Sequence, residues 1–234
     1  MRPAVILFSI LSFFLTSING CEEIARPPLS EAEVSRGLKE ALRVGVEKSV
    51  AQASANNGFL EHPVLRIGFP PQAQGAYDYM MSSSLLRPLL DEFVVRMNRA
   101  AENASEKAQP IFVDAITRMT IQDAWDILRG SDDAATTYLH RSTYSSLYEA
   151  FRPDIQQSLD AVGAAAAWQE LSKVYNGIAA FNQNLQPVNA DLADYTTNQA
   201  LEGLFYLIEQ EEQKIREDPA ARVTDLLRKV FARQ

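Results

Sequence analysis

The strongest constraint on the fold is a regular four-residue spacing of aliphatic side chains that begins just after residue 30. This spacing places one apolar face on an α-helix that runs to about Ala53. Ser30 precedes the helix and Glu33 follows three residues later, which is the pattern of a capping box. Asn56 to Gly58 ends it. The aliphatic positions are Val34, Leu38, Leu42, Val46 and Val50.

Helical periodicity resumes near Ser82 and continues almost to the C-terminus. We predict that Pro110, Thr120 and Ser131 open new helices, and that Pro153 breaks a helix or starts the next. The connecting loops are short. The pattern predicts an all-α fold, a single helical-bundle-like domain of about eight helices over residues 30–234.

One short segment departs from this helical pattern. Leu65, Ile67 and Phe69 alternate with other residues, and prolines bracket the run, so residues 64–69 are predicted to be extended. An isolated strand needs a partner, and no second strand is evident. The segment therefore either lies over the helices or pairs with another copy or a partner protein.

The N-terminus has the features of a signal peptide. Arg2 is followed by an uncharged run of 12 residues from Ala4 to Leu15. A helix of that length reaches about 18 Å, well short of the roughly 30 Å hydrocarbon thickness of a bilayer. We therefore interpret residues 1–20 as a cleaved leader rather than a membrane span.

The only cysteine lies at the end of this leader. The stretch Ile18-Asn19-Gly20-Cys21 resembles a bacterial lipobox, which implies lipidation of Cys21 and cleavage before it. Residues 21–29 then form a short tether. We expect a protein anchored to a membrane of the bacterial cell envelope and facing the periplasm, with Glu22 rather than aspartate favouring the outer membrane. The alternative is a secreted protein without a lipid.

Composition excludes several functions. The chain has 22 basic and 30 acidic residues, a net charge of −8, and no basic run. Such a chain is poorly suited to nucleic acid, and its sequence offers no cationic patch for anionic lipids. A single cysteine precludes an intramolecular disulfide and a thiolate zinc site, and two histidines leave little for an imidazole site. We expect no cofactor.

Several stretches together resemble a bacterial family known as domain of unknown function 4197. They include GLKEALRVGVEKSV, GFLEHPVLRIGFP and DLADYTTNQALEGLFYLIEQEEQKIREDPAARVTDLLRKVF, and the resemblance extends over roughly residues 30–234. It implies a small helical envelope protein, often a lipoprotein. It implies no ligand, activity or catalytic residue.

Asp132, Asp133, Thr136 and His140 form the most suggestive cluster of functional groups. On a helix, their spacing could bring carboxylates, a hydroxyl and an imidazole together for a hard cation or for acid–base chemistry. Acidic residues directly after Gly130 are equally typical of a helix start, where they face the positive end of the helix dipole. Both interpretations remain open from the sequence.

Two further polar groups have alternative interpretations. Arg99, Glu102, Asp114 and Arg118 could line a polar pocket or form pairs within helices on a solvated face. The charged stretch at 209–222 is predicted to be a solvated face. Aromatic residues at helical spacing are predicted to pack in the core, with an apolar ligand pocket between helices as the alternative.

These observations lead to one main functional hypothesis and two alternatives. The main hypothesis is a non-enzymatic, lipid-anchored module that binds an envelope protein or an apolar small molecule, with the membrane as its other partner. One alternative is a metal-assisted hydrolase that uses Asp132, Asp133 and His140. The other is a structural protein that self-associates through the extended segment.

Overall fold

The structure is a computed structural model that describes most of the chain after residue 29. The predicted leader (1–20) and the predicted tether (21–29) lie outside the described residues. The described residues are 30–71, 74, 77–78, 84, 87–181, 183, 186–222 and 228.

Over these residues the fold is all-α, as predicted, with seven α-helices and no strand. A short 3₁₀-helix, Pro219–Ala221, follows the last of them. None of the helices in the described ranges has an apolar stretch long enough to cross a membrane. In chain order the helices are α1 (Glu31–Ser54), α2 (Arg87–Ser105), α3 (Ala108–Arg118), α4 (Ile121–Arg129), α5 (Ala134–Asp160), α6 (Ala164–Ala179) and α7 (Leu192–Glu217).

Helix α1 begins with the predicted capping box. The Glu33 amide donates to the Ser30 hydroxyl at 3.3 Å, and the Glu33 carboxylate accepts the Ser30 amide at 2.9 Å. All five predicted aliphatic positions of α1 are buried, against α2, α3, α4 and α7. The apolar face therefore determines where this helix packs.

Among the described helices, α5 and α7 make the most extensive contact, and α2 and α1 pack beside them. One continuous apolar core contains side chains from all seven helices and from the connection between α1 and α2. Its largest fully buried members include Phe59, Phe112, Phe151 and Trp168.

The segment predicted to be extended packs on this core. Leu65, Ile67 and Phe69 are all buried, while Val64 is exposed. In place of a neighbouring strand, Asn98 of α2 pairs with Ile67: its side chain accepts the Ile67 amide and donates to the Ile67 carbonyl, both at 2.8 Å. Of the two predicted alternatives, the structure has the segment lying over the helices.

The predicted helix break at Pro153 is wrong, because Pro153 lies inside α5. The buried positions Leu147, Phe151, Ile155 and Leu159 continue at four-residue spacing across it, each fully buried. Pro153 is exposed, so its ring lies on the solvent side. Continuous core packing on the opposite face outweighs the backbone hydrogen bond that proline removes. The helix begins at Ala134 rather than Ser131.

Gly203 lets α7 approach the α1–α2 connection closely. A Cβ atom at this position would lie 2.8 Å from the Phe59 ring and 3.1 Å from Leu65. Both partner side chains are buried. A glycine is therefore required here for close approach rather than for an unusual backbone angle.

Candidate functional site

The two aspartates of the predicted cluster lie in the turn that precedes α5. Asp132 and Asp133 are both exposed. Asp133 occupies the N-cap position, yet its side chain makes no capping hydrogen bond; it accepts the Ser131 hydroxyl at 2.5 Å instead. That hydrogen bond, followed by one from the backbone, lowers the pKa of Asp133 below its usual value.

Thr136 and His140 face different surroundings. The Thr136 hydroxyl is buried and donates to Glu212 at 2.8 Å. His140 is exposed, and its ring packs on Tyr144 and Phe205 with centroid distances of 4.8 and 4.7 Å. Across the described part of the chain, no group of three or more His, Cys, Asp or Glu side chains is arranged to hold a metal ion. The contacts of Thr136 and His140 that the structure shows are with residues outside the predicted cluster.

Glu212 is the residue that caps α5. Its carboxylate accepts the backbone amides of Ala135 and Thr136 at 2.9 and 2.8 Å, from a position 77 and 76 residues further along the chain. Arg216 donates to the same carboxylate at 2.8 Å, and also to the carbonyl of Ile127, near the end of α4, at 3.0 Å. The two side chains are 6% and 9% exposed. We call Glu212 and Arg216 the α7 ion pair.

The α7 ion pair serves two helix ends at once. Its carboxylate lies at the positive end of the α5 dipole, and its guanidinium lies at the negative end of the α4 dipole. Capping of α5 by an acidic side chain is thus present, but Glu212 provides it rather than Asp132 or Asp133. The expectation of a solvated face at 209–222 is wrong at Glu211, Glu212 and Arg216, whose side chains are largely buried.

A second buried carboxylate holds the start of the α1–α2 connection. Glu102 of α2 is 3% exposed and accepts the amides of Phe59 and Leu60, both at 3.1 Å. Arg99 donates to Glu102 at 2.6 Å and to Asn57 at 2.5 Å. We call Arg99 and Glu102 the α2 clamp. It fixes the chain immediately after α1.

The other two residues of that predicted group lie apart from the clamp. Asp114 and Arg118 of α3 form an ion pair within one helix, with side chains 61% and 71% exposed. In the described residues no hydrogen bond or ion pair joins them to Arg99 or Glu102. The four residues thus divide into a buried clamp and an exposed pair, and they do not line one pocket.

A polar stripe on α5 was not predicted as a unit. His140, Tyr144, Tyr148 and Arg152 follow at four-residue spacing, so they lie on one face of the helix. The hydrogen-bond partners of the last three come from the start of α7 and the residue before it. Tyr144 donates to Asn198 at 2.5 Å, Tyr148 donates to Asp194, and Arg152 donates to Asp191 at 2.6 Å.

The ionisation of these tyrosines reflects their partners. The hydrogen bond to Asp194 raises the pKa of Tyr148, and burial raises it further. Burial raises the pKa of Tyr144. Both phenols are therefore neutral donors at ordinary pH. The sequence signal for this stripe was the H-x₃-Y-x₃-Y-x₃-R spacing, although it does not distinguish core aromatics from half-exposed ones.

Both buried carboxylates also left a signal in the sequence. Glu212 follows Ile208 by four residues and precedes Ile215 by three, so it lies on the apolar face of α7. Val94, Asn98 and Glu102 have the same four-residue spacing on α2. A polar residue in register with an apolar stripe is expected to be buried and bonded.

The cavities between the helices differ in size and chemistry. A mainly apolar cavity between α1, α5 and α7 beside the α7 ion pair has a volume of about 20 Å³, enough for roughly one water molecule. Two open clefts are larger. One, of about 330 Å³, lies between α4 and α5 and contains Asp123, Asp133 and Tyr138. The other, of about 450 Å³, lies where α5, α6 and α7 meet.

The fold and the site together define the class of protein. It is an all-α protein in which one buried carboxylate caps a helix and another holds the connection between two helices. The chain belongs to the family described as "Protein of unknown function (DUF4197)", whose pattern matches residues 28–232. Comparisons with curated proteins and with solved structures gave no significant match.

Proposed function

We propose that the protein is a lipid-anchored binding module of the bacterial cell envelope, held on the periplasmic side of a membrane through Cys21. One observation carries this proposal: the only cysteine of the chain ends the Ile18-Asn19-Gly20-Cys21 motif, directly after a short apolar leader. Two or three acyl chains at this residue would anchor the protein firmly, since each buried CH₂ contributes about 0.8 kcal/mol.

The start of the helical body agrees with such an anchor. The capping box at Ser30 begins the first helix nine residues after Cys21. An extended chain covers at most about 3.3 to 3.6 Å per residue, so the tether reaches about 30 Å. The body would therefore remain within one molecular diameter of the membrane.

Binding rather than catalysis is supported by how the buried polar groups are used. Glu212, Glu102 and Asn98 all accept backbone amides of other segments. Their oxygen atoms therefore accept hydrogen bonds that stabilise the fold, as is usual for buried polar groups. The groups that line the two open clefts remain at the surface and are available for contacts with a partner. The proposed partner is an envelope protein or a small apolar molecule.

The anchor is tested with Cys21→Ser, produced with its leader in a bacterial host that processes lipoproteins. We expect the parent chain to sediment with membranes and to incorporate labelled fatty acid, and the variant to do neither. Glu22→Gln, which leaves the cysteine in place, is the matched control. Unchanged membrane fractionation of Cys21→Ser would contradict the anchor.

A further inference from the structure

We draw no further inference here: the strongest candidate, the open cleft between α4 and α5, is a cluster of three aspartates (Asp123, Asp126 and Asp133) that each accept a hydrogen bond from a neighbouring side chain, and nothing else in the part of the chain that the structure describes points to a ligand there.

Discussion

At the scale of single residues, buried carboxylates decide how the ends of helices are satisfied. Glu212 and Glu102 each accept two backbone amides and pair with an arginine. Hydrogen bonds to a carboxylate are shorter and stronger than those between neutral groups. Because each is buried, removal of one partner leaves the others without compensation.

Glu212→Gln is expected to lower the free energy of unfolding by about 3 to 5 kcal/mol, the usual cost of breaking a buried ion pair. The neutral amide leaves the Arg216 guanidinium buried without its counter-ion, and it brings N–H groups toward the amides of Ala135 and Thr136. Denaturant unfolding followed by circular dichroism measures the change.

Asp114→Asn is the matched control, because it also removes a carboxylate from an i,i+4 pair with arginine but at an exposed position. It is expected to cost at most about 1 kcal/mol. Equal losses for the two variants would contradict a structural role for the α7 ion pair.

Local caps were predictable from sequence, whereas distant ones were not. The capping boxes at Ser30 and Thr120 join residues three apart, so their patterns are visible in a few letters of sequence. Glu212 reaches amides 76 and 77 residues away, and its neighbour Glu209 carries the same side chain in a less buried position. Glu212 differs from Glu209 only because it lies in register with the apolar positions of α7. Which amides Glu212 meets depends on tertiary packing.

At the scale of helices, the space around a glycine shows whether a neighbouring segment packs closely against the helix at that position. Gly203 of α7 and Gly45 of α1 both lie in helix interfaces and have different space around them. A Cβ at Gly203 would lie 2.8 Å from the Phe59 ring, but a Cβ at Gly45 would meet Glu211 at an ordinary 3.6 Å. These two glycines form a matched pair for substitution.

Gly203→Ala is expected to destabilise the protein by about 1 to 3 kcal/mol, the usual cost of overpacking a core. Gly45→Ala is expected to stabilise it by about 0.5 to 1 kcal/mol, since alanine has the higher helix propensity and the space is available. Denaturant midpoints of the two variants test both signs. Stabilisation by Gly203→Ala would contradict this expectation, because it would mean that the Phe59 and Leu65 side chains can move to make room for the added methyl group.

The spacing of apolar residues predicted where helices form, but it did not predict that α5 continues through Pro153. The apolar spacing of α1 predicted its buried face correctly, because burial of that face requires no knowledge of its partner. Pro153 predicted a break in α5 because a local rule was applied without the core contacts. The buried side chains of Phe151 and Ile155 on either side of the proline provide those contacts.

At the scale of the whole molecule, one core connects the seven helices that the structure describes. It includes Val46 of α1, Phe112 of α3, Trp168 of α6 and Leu204 of α7. The two tryptophans lie in helices α4 and α6, which belong to different parts of this core. If the helices depend on one another through the core, both regions unfold together.

We therefore expect Trp125 and Trp168 to report the same unfolding transition. In the Trp168→Phe and Trp125→Phe chains, fluorescence midpoints in denaturant are expected to agree with the circular dichroism midpoint of the same chain. Any stability change from the substitution itself shifts both probes of one chain equally, so the comparison within each chain is internally controlled. A lower fluorescence midpoint for Trp168 alone would mean that α6 separates from the core first, and that residues 30–234 do not behave as one cooperative domain.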